Sequence, residues 1–448
     1  MNSMSLDEIA VMCGGQPPAH SGQKTIRRIS KDTRTLVPGD LYFALRGENF
    51  DGNAFIKQAV AKGAGAAVLD DPHAPRPAEL PVILVEDGLK ALQRLAEAWR
   101  DRLALKVIGI TGSNGKTTTK EFTAAVLSTR YRTVKTQGNL NNHIGVPLSI
   151  LSAEVADGAA VWEVGMNHPG EIAPLAALVR ADVGIITNIG VAHIEFLGSR
   201  EAIAKEKRAL LESLRPEGVA VIPANDDFSD FLASGTVARV MRVGGSDSDV
   251  RAEDIQVTME GTSFRILAGG EQVSARLPVP GLHMVSNALL AVGAGLACGL
   301  SLEECAEGLE QTPLIAGRLA KRVVRGITFL DDTYNANPDS MVAALEVLKS
   351  LKCDGKRIAV LGCMGELGSH AGEGYRRVGS HGGADILIAV GADTLPMAEA
   401  AGGHFAEVRC FGSTDEASEF LRQIVDESDL ILVKGSRAAQ METVINSF

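Results

Sequence analysis

Residues 107 to 119 read Val-Ile-Gly-Ile-Thr-Gly-Ser-Asn-Gly-Lys-Thr-Thr-Thr. The spacing predicts an apolar strand, a glycine-rich turn and a helix continuing to about residue 130. That order suits oxyanion binding, because the first turn of a helix presents unpaired N–H groups and the positive end of its dipole. Gly112 and Gly115 let the backbone approach phosphates closely, Lys116 adds a point charge near the terminal ones, and the Thr117 hydroxyl is a magnesium ligand. The generic phosphate loop carries a glycine five positions before its Gly-Lys pair. Here that position is Ile110, with glycines at 109 and 112 instead. A bare glycine turn with a solvated lysine is the alternative, and the agreement of strand, glycines, lysine and three threonines weighs against it.

A carboxylate and an imidazole stand just past two further apolar runs, in Glu163-Val-Gly-Met166 and Asn188-Ile-Gly-Val-Ala-His193. Beside a Lys-Thr loop they suit magnesium and phosphate chemistry, although either residue alone could be a satisfied core group. Beyond Gly198-Ser199, with Ser199 as N-cap, Ile203, Lys207, Leu210, Leu211 and Leu214 recur at helical spacing. Lys205, Arg208 and Glu212 fall on the other side, so Lys207 lies on the apolar stripe. Burial disfavours an ammonium, and only the neutral amine adds carbon dioxide to form a carbamate. At an ordinary pKa of about 10.4 roughly one lysine in a few thousand is neutral at pH 7, and a drop of about three units raises that fraction about a thousandfold. The alternative is a lysine that snorkels to water.

These groups need several strands ending side by side. Strands are expected at 107–110, 159–164, 183–188 and 219–223, each followed by helix-compatible sequence. Such alternation implies a mostly parallel sheet with ligands at the carboxyl ends of its strands. Residues 236–280 read as a twisted antiparallel insertion, and the apolar run at 288–300 as a buried helix. Upstream, strands at 40–45, 66–69 and 82–85 alternate with helices at 54–62 and 89–102, and four prolines at 72–81 mark a surface loop. Downstream, strands are expected at 357–361, 386–390 and 430–433. The fold class is therefore α/β in three domains: 1–103, 104–314 with a parallel-sheet phosphate loop and a small β insertion, and a Rossmann-like 315–448. A chain of 448 residues accommodates three domains at about 150 residues each.

A net charge of -11 with no long basic run argues against general binding to nucleic acid or anionic membranes. Any anionic ligand must then meet locally concentrated positive charge. The six cysteines form no Cys-x-x-Cys pair and no zinc-type cluster, and read as reduced thiols of a cytoplasmic protein. The N-terminus lacks a basic-then-apolar signal, and the longest apolar run is too short to span a bilayer.

Thr-Gly-Ser-Asn-Gly-Lys-Thr at 111–117 resembles the loop of the Mur ligases and the related folylpolyglutamate synthases, families that activate a carboxylate with ATP. The resemblance runs along nearly the whole chain. Ser30-Lys-Asp-Thr-Arg34, Pro38-Gly-Asp-Leu41 and Arg46-Gly-Glu-Asn-Phe-Asp-Gly52 resemble the N-terminal domain with which the tripeptide- and pentapeptide-forming Mur ligases hold a uridine nucleotide. It implies a uridine-substrate site from Ser30, Asp32, Thr33, Arg34, Arg46, Gly47 and Asp51, joined by Asn139 and Asn142 of the loop 136–147. Gly281-Leu-His-Met-Val-Ser-Asn-Ala288 is similar to the family's Gly-x-His-x-x-x-Asn-Ala, whose Asn contacts adenine, with Met284 replacing a commoner Asn. Gly317-Arg318 resembles the turn whose arginine reaches the ATP phosphates from the C-terminal domain. An arginine from another domain completes such a site only on closure.

The implied ATP site comprises Thr111, Gly112, Ser113, Asn114, Gly115, Lys116, Thr117, Thr118, Asn287, Arg318, Asp332 and Asn335. Thr117, Glu163, His193 and a carbamylated Lys207 are the implied ligands of two magnesium ions, and Lys116, His193 and Lys207 the implied catalytic residues. The family's carbamylated lysine follows its histidine at the spacing of Lys207 from His193. Asp331-Asp-Thr-Tyr-Asn-Ala-Asn-Pro338 resembles the signature of the branch that adds the terminal dipeptide, and Leu361-Gly-Cys-Met-Gly-Glu-Leu-Gly368 a second family motif in which Cys363 stands where an acid is usual. Asn337, Lys434, Ser436 and Arg437 are implied near the peptide ends being joined. The expected reaction is ATP-dependent amide formation between D-alanyl-D-alanine and UDP-N-acetylmuramoyl-tripeptide through an acyl phosphate, carried out by a cytoplasmic monomer. Two other readings share the loop: a folate-type polyglutamate ligase, and a nucleotide-switched ATPase without an amine acceptor.

Overall fold

The computed structural model describes residues 1–18, 24–47 and 49–448, so Glu48 of the 46–52 motif lies outside the described residues. Two compact units divide the chain. One comprises Met1–Gly109, Tyr131–Met166 and Glu171–Asp182, the other Ile110–Arg130, Asn167–Gly170 and Val183–Phe448. The division falls inside the strand Lys106–Thr111, which leads into the phosphate-type loop.

In the first unit, short apolar runs form a parallel sheet in the order Ile29–Ser30, Leu41–Phe43, Ala66–Leu69, Val82–Leu84. Leu41–Phe43 and Ala66–Leu69 are buried throughout, which is why they read as unbroken apolar runs rather than alternating ones. The helix expected at 54–62 begins as a tighter turn over Gly52–Phe55 and is α-helical only over Ile56–Ala61. Gly88–Arg100 is capped by Asp87 and buries Leu92, Leu95 and Trp99 at helical spacing. Thr133–Lys135 and Ala159–Glu163 pair in parallel, and the second of these ends on Glu163.

The second unit holds two sheets. Val183–Ile186, Val219–Pro223 and Arg239–Val243 run parallel, Val250–Thr258 joins Arg239–Val243 in parallel at Val243–Val250, and Gly261–Ala268 and Glu271–Leu277 then follow it antiparallel. This corrects the expected insertion at 236–280: Arg239–Val243 follows the helix Ser229–Ala233 and returns parallel beside Val219–Pro223. A helical crossover gives a parallel pair, and only the hairpin connections after Val250 give antiparallel ones. The helix predicted after Ser199 spans Arg200–Glu212, with Ser199 accepting from Ala202 N at 3.2 Å and Ile203, Lys207, Leu210 and Leu211 buried. The buried helix expected at 288–300 starts earlier, at Leu282.

The other sheet runs Ala320–Val324, Ile327–Asp332, Leu430–Lys434, Arg357–Leu361, Ile386–Val390, Glu407–Phe411, parallel except at its first pair. Its register sets Asp332 opposite Lys434 at adjacent carboxyl ends, where an open α/β sheet binds ligands.

Candidate active site

The loop after Thr111 is glycine-rich for reasons of space and conformation. Gly112 has φ 150°, and a Cβ there would stand 1.8 Å from Thr187 Oγ1; Gly115 has φ 79°, and its Cβ would stand 2.4 Å from Asn287 Oδ1. Gly115 caps the helix Lys116–Ser128, whose first turn opens toward the loop. The loop is fastened from the neighbouring strand end. Ser113 N donates to Asn188 O at 3.0 Å, Asn114 N to Asn188 Oδ1 at 2.9 Å, and Thr187 Oγ1 to Asn114 O at 2.5 Å. Lys116 Nζ folds back over this frame and donates to Gly112 O at 2.7 Å.

A cavity of about 330 Å³ opens in front of the loop, lined by Ser113–Thr117, His193, Arg318, Asn335, Asn337, Glu366, Ser436 and Arg437, among others. Residues predicted from five separate sequence motifs thus share one space in the second unit. Thr111, Thr118, Asn287, Asp332 and Lys434 do not line it. Asn287 is buried behind the loop and accepts from Thr119 Oγ1 at 3.3 Å. Thr118 and Met284 instead border a narrow apolar pocket with Phe122, Val279 and Ile315.

His193 adopts φ 64° and Glu366 φ 61°, conformations that cost energy for residues with a Cβ and concentrate at functional sites. His193 Nδ1 lies 2.6 Å from Glu366 Oε2. Bonding to His193, aided by the charges of His193, Lys116 and His168, holds the Glu366 carboxyl below its ordinary range against the opposing effect of burial. Sequence reasoning missed Glu366; the available signal was its own 361–368 motif, where the departure at Cys363 drew the attention. Burial raises the Cys363 thiol, so it supplies no carboxylate in place of the missing acid.

Lys207 is 1 % exposed. Burial, then the like charge of Lys116, pushes its ammonium well below the ordinary lysine value, and Glu206 opposes this. Glu163 is buried in the first unit, its N–H donating to Thr136 Oγ1 at 3.0 Å and its Oε2 accepting from Asn141 Nδ2 at 3.4 Å. Among the described residues, no group of three or more His, Cys, Asp and Glu side chains could hold a metal ion. The expected ligand set is of another kind: a hydroxyl, a carboxylate, an imidazole and a carbamate. Its oxygen-rich character suits magnesium, and the neutral amine that burial favours at Lys207 is the form able to take up carbon dioxide.

On the turn ahead of the C-terminal sheet, Arg318 lies over the Tyr334 ring at 4.2 Å, and its buried Nε has no hydrogen-bond partner. The turn that carries it is pinned by Asp332, whose Oδ1 accepts from Leu319 N at 3.2 Å and Oδ2 from Lys434 Nζ at 2.5 Å. Lys434 also donates to Asn335 O at 3.0 Å. Both charges of this buried pair are spent inside the protein, beneath the cavity rather than at its surface. Asn337 caps the helix Pro338–Ser350 and donates from Nδ2 to Asn114 Oδ1 at 2.7 Å. Arg437 pairs with Glu442 at 2.8 Å, and Ser436 N donates to Cys363 O at 2.8 Å.

In the first unit, Asp32 receives a forked pair from Arg34, 2.6 Å at its shortest, and that bonding lowers the Asp32 carboxyl to about 2. Ser30 Oγ donates to Asp32 O at 2.9 Å, and Thr33 Oγ1 to Gln58 Oε1 at 3.2 Å. Arg46 bonds Asp70 at 3.0 Å with Asp51 at 3.9 Å, and Gly47 pairs with Phe50 in a short antiparallel turn. Asn142 Oδ1 accepts from Gly145 N at 2.8 Å, and Asn139 O from Asn141 N at 2.7 Å.

Three family models match in order along the chain: the Mur ligase family catalytic domain over 25–100, the Mur ligase middle domain over 110–295, and the Mur ligase glutamate ligase domain over 317–437. The UDP-N-acetylmuramoyl-tripeptide–D-alanyl-D-alanine ligase of Bacillus subtilis is 38% identical over 431 residues, 94% of this chain and 93% of that one. The chain belongs to the Mur ligase family. The Escherichia coli ligase of the same name is 35% identical to this Mur ligase, across 100% of this chain and 98% of that one. Among solved structures, MurF from Acinetobacter baumannii superposes with a TM-score of 0.91 at 35% identity, covering 100% of this chain and 99% of that one. MurF from Thermotoga maritima, in complex with ADP, gives 0.83 at 27% identity, covering 94% and 97%. This Mur ligase therefore has the three-domain α/β fold of those enzymes, and none of its helices, among the described residues, is long and apolar enough to cross a membrane.

Proposed function

We propose that this Mur ligase joins the amine of D-alanyl-D-alanine to the free carboxylate of UDP-N-acetylmuramoyl-tripeptide, driven by ATP. The observation that carries this reading is the single cavity in which the helix start at Lys116 and Thr117 faces Arg318, Asn335, Ser436 and Arg437. ATP lies with its phosphates at that helix start, where N–H groups and the dipole favour anions. Arg318, aimed by Tyr334 and with Nε unspent, meets the phosphates from the other side.

A carboxylate oxygen of the tripeptide attacks the γ-phosphorus, the bond to the β-bridging oxygen breaks, and ADP leaves an acyl phosphate. The dipeptide amine then attacks the acyl carbon, loses a proton, and expels phosphate. Bringing two anions together is the electrostatic difficulty, and fixed positive groups in a site screened from water answer it. Thr117, Glu163, His193 and carbamylated Lys207 would hold two magnesium ions, which supply charge neutralisation to the phosphates when bound. The uridine nucleotide occupies the first unit at Ser30, Asp32, Thr33, Arg34, Arg46, Gly47 and Asp51, with Asn139 and Asn142. The domain bounds 1–103, 104–314 and 315–448 assign one substrate class to each part. The enzyme works as a monomer in the cytoplasm, a setting that its six free cysteines support.

ADP release is the test, with ATP and UDP-muramoyl-tripeptide, with and without D-alanyl-D-alanine. Sustained release that requires the dipeptide is the expected result. Release indifferent to both substrates would mean a nucleotide-switched ATPase.

A further inference from the structure

Three consecutive N–H groups beyond the strand Val183–Ile186 are each taken by a side chain from a different stretch of the second unit. Ile189 N donates to Asp226 Oδ2 at 2.8 Å, Gly190 N to Ser113 Oγ at 2.9 Å, and Val191 N to Asp339 Oδ2 at 3.0 Å. The last of these comes from 148 residues away, in the first turn of the helix Pro338–Ser350. An acid in that position of a helix is ordinarily a solvated partner of the dipole. Asp339 is not: its side chain is 26% exposed, and its other oxygen accepts from Arg377 at 2.7 Å, which fixes the rotation of the carboxylate.

The approach is close enough to dictate the residue opposite. A Cβ on Gly190 would stand 2.3 Å from Asp339 Oδ2, whereas the nearest atom of any other residue, Asn114 Nδ2, would be at 3.3 Å. The φ of Gly190 is not in the left-handed region, so the close carboxylate rather than a left-handed backbone is the main obstacle to a side chain there. The same segment bonds the phosphate loop through Asn188 and Ser113 and leads directly into His193. We propose that Asp339 is a positioning residue for ligation: it seats Gly190–Val191, and with that segment the phosphate loop and His193, against the C-terminal sheet and its helices. This rests on the ligase reading above.

The test is a double-mutant cycle on the full chain, reading kcat and KM from ADP release with ATP, UDP-muramoyl-tripeptide and D-alanyl-D-alanine. Asp339→Ala and Gly190→Ala are each expected to lower kcat at least about tenfold, since small misplacements of reacting groups cost that much or more, with KM for ATP moving less than about threefold. Because the severe overlap of the Gly190→Ala methyl is with Asp339, while Asn114 Nδ2 at 3.3 Å has to give only slightly, the double variant should match Asp339→Ala within about twofold rather than lose both factors. Asp339→Asn keeps an oxygen for Val191 N but sets its amide NH2 against Arg377, and should recover part of the rate, above Asp339→Ala. A purely structural carboxylate would lower the thermal midpoint and leave kcat per folded molecule intact. Singles within about twofold of the unsubstituted enzyme, multiplicative losses in the double, or Asp339→Asn as slow as Asp339→Ala would each overturn the inference. Should Asp339→Ala not fold, Gly190→Ala and Asp339→Asn carry the test. Absence of ADP release from the unsubstituted enzyme overturns the ligase reading and this inference together, whereas normal release with unaffected variants overturns this inference alone.

Discussion

Lys207 is the side chain on which burial and chemistry meet most directly. A lysine buried on the apolar face of its helix is a destabilising choice unless its amine is put to use, and conversion to a carbamate turns it into an oxygen donor. Lys207→Ala should nearly abolish ADP release, and added bicarbonate or small carboxylates should partly restore it; near-normal activity without additive would remove the lysine from the site. Asp32 gives a pH prediction. Its folded carboxyl titrates near 2, below the unfolded value of about 3.9, so its pairing with Arg34 contributes stability that is present above the unfolded value and lost as pH falls through the folded one. Asp32→Asn should therefore lower the thermal midpoint at pH 6 by a small amount, as befits an exposed pair, and the difference from the unsubstituted protein should shrink as pH falls and be lost only below about 2. A difference unchanged across that range would assign the effect to something other than the ion pair.

At the scale of elements, what the sequence made legible depended on how local the cause was. The face of Arg200–Glu212 follows from the spacing of its leucines, and Ser199 was readable as its cap. The glycines of the loop were readable as close-approach positions, though the atoms they approach, on Thr187 and Asn287, were not. Arg239–Val243 was grouped with the antiparallel insertion because a strand-like run says nothing of its partner; the helix between it and Val219–Pro223 carried that information. The pairs His193–Glu366 and Val191–Asp339 join distant stretches, and no local pattern announces them. Asn337, read from the sequence only as a residue near the peptide ends, both caps the helix Pro338–Ser350 and bonds Asn114. Asn337→Ala should cost about 1 kcal/mol through the lost cap. Asn337→Ser should recover the thermal midpoint, because serine caps equally well, but not the link to Asn114. If serine proves as unstable as alanine, the bond to Asn114 is the larger contribution.

For the whole molecule, the second unit gathers a phosphate-binding helix start, a strained histidine, a buried lysine and an arginine from the turn ahead of the far sheet. Each has an ordinary structural explanation when taken singly, and together they are the groups that the proposed ligation would use to neutralise anions while one of them is phosphorylated. The family's resemblance was visible from end to end in the motifs. The cavity they share needed coordinates, since it is built from residues spread between Ser113 and Ala438. The central claim is that the tripeptide carboxylate itself attacks ATP. Its most direct test is turnover with the tripeptide carboxylate labelled with oxygen-18, followed by mass spectrometry of the phosphate released. An acyl phosphate delivers one labelled oxygen to each phosphate and leaves the other in the new amide, whereas unlabelled phosphate would contradict the account.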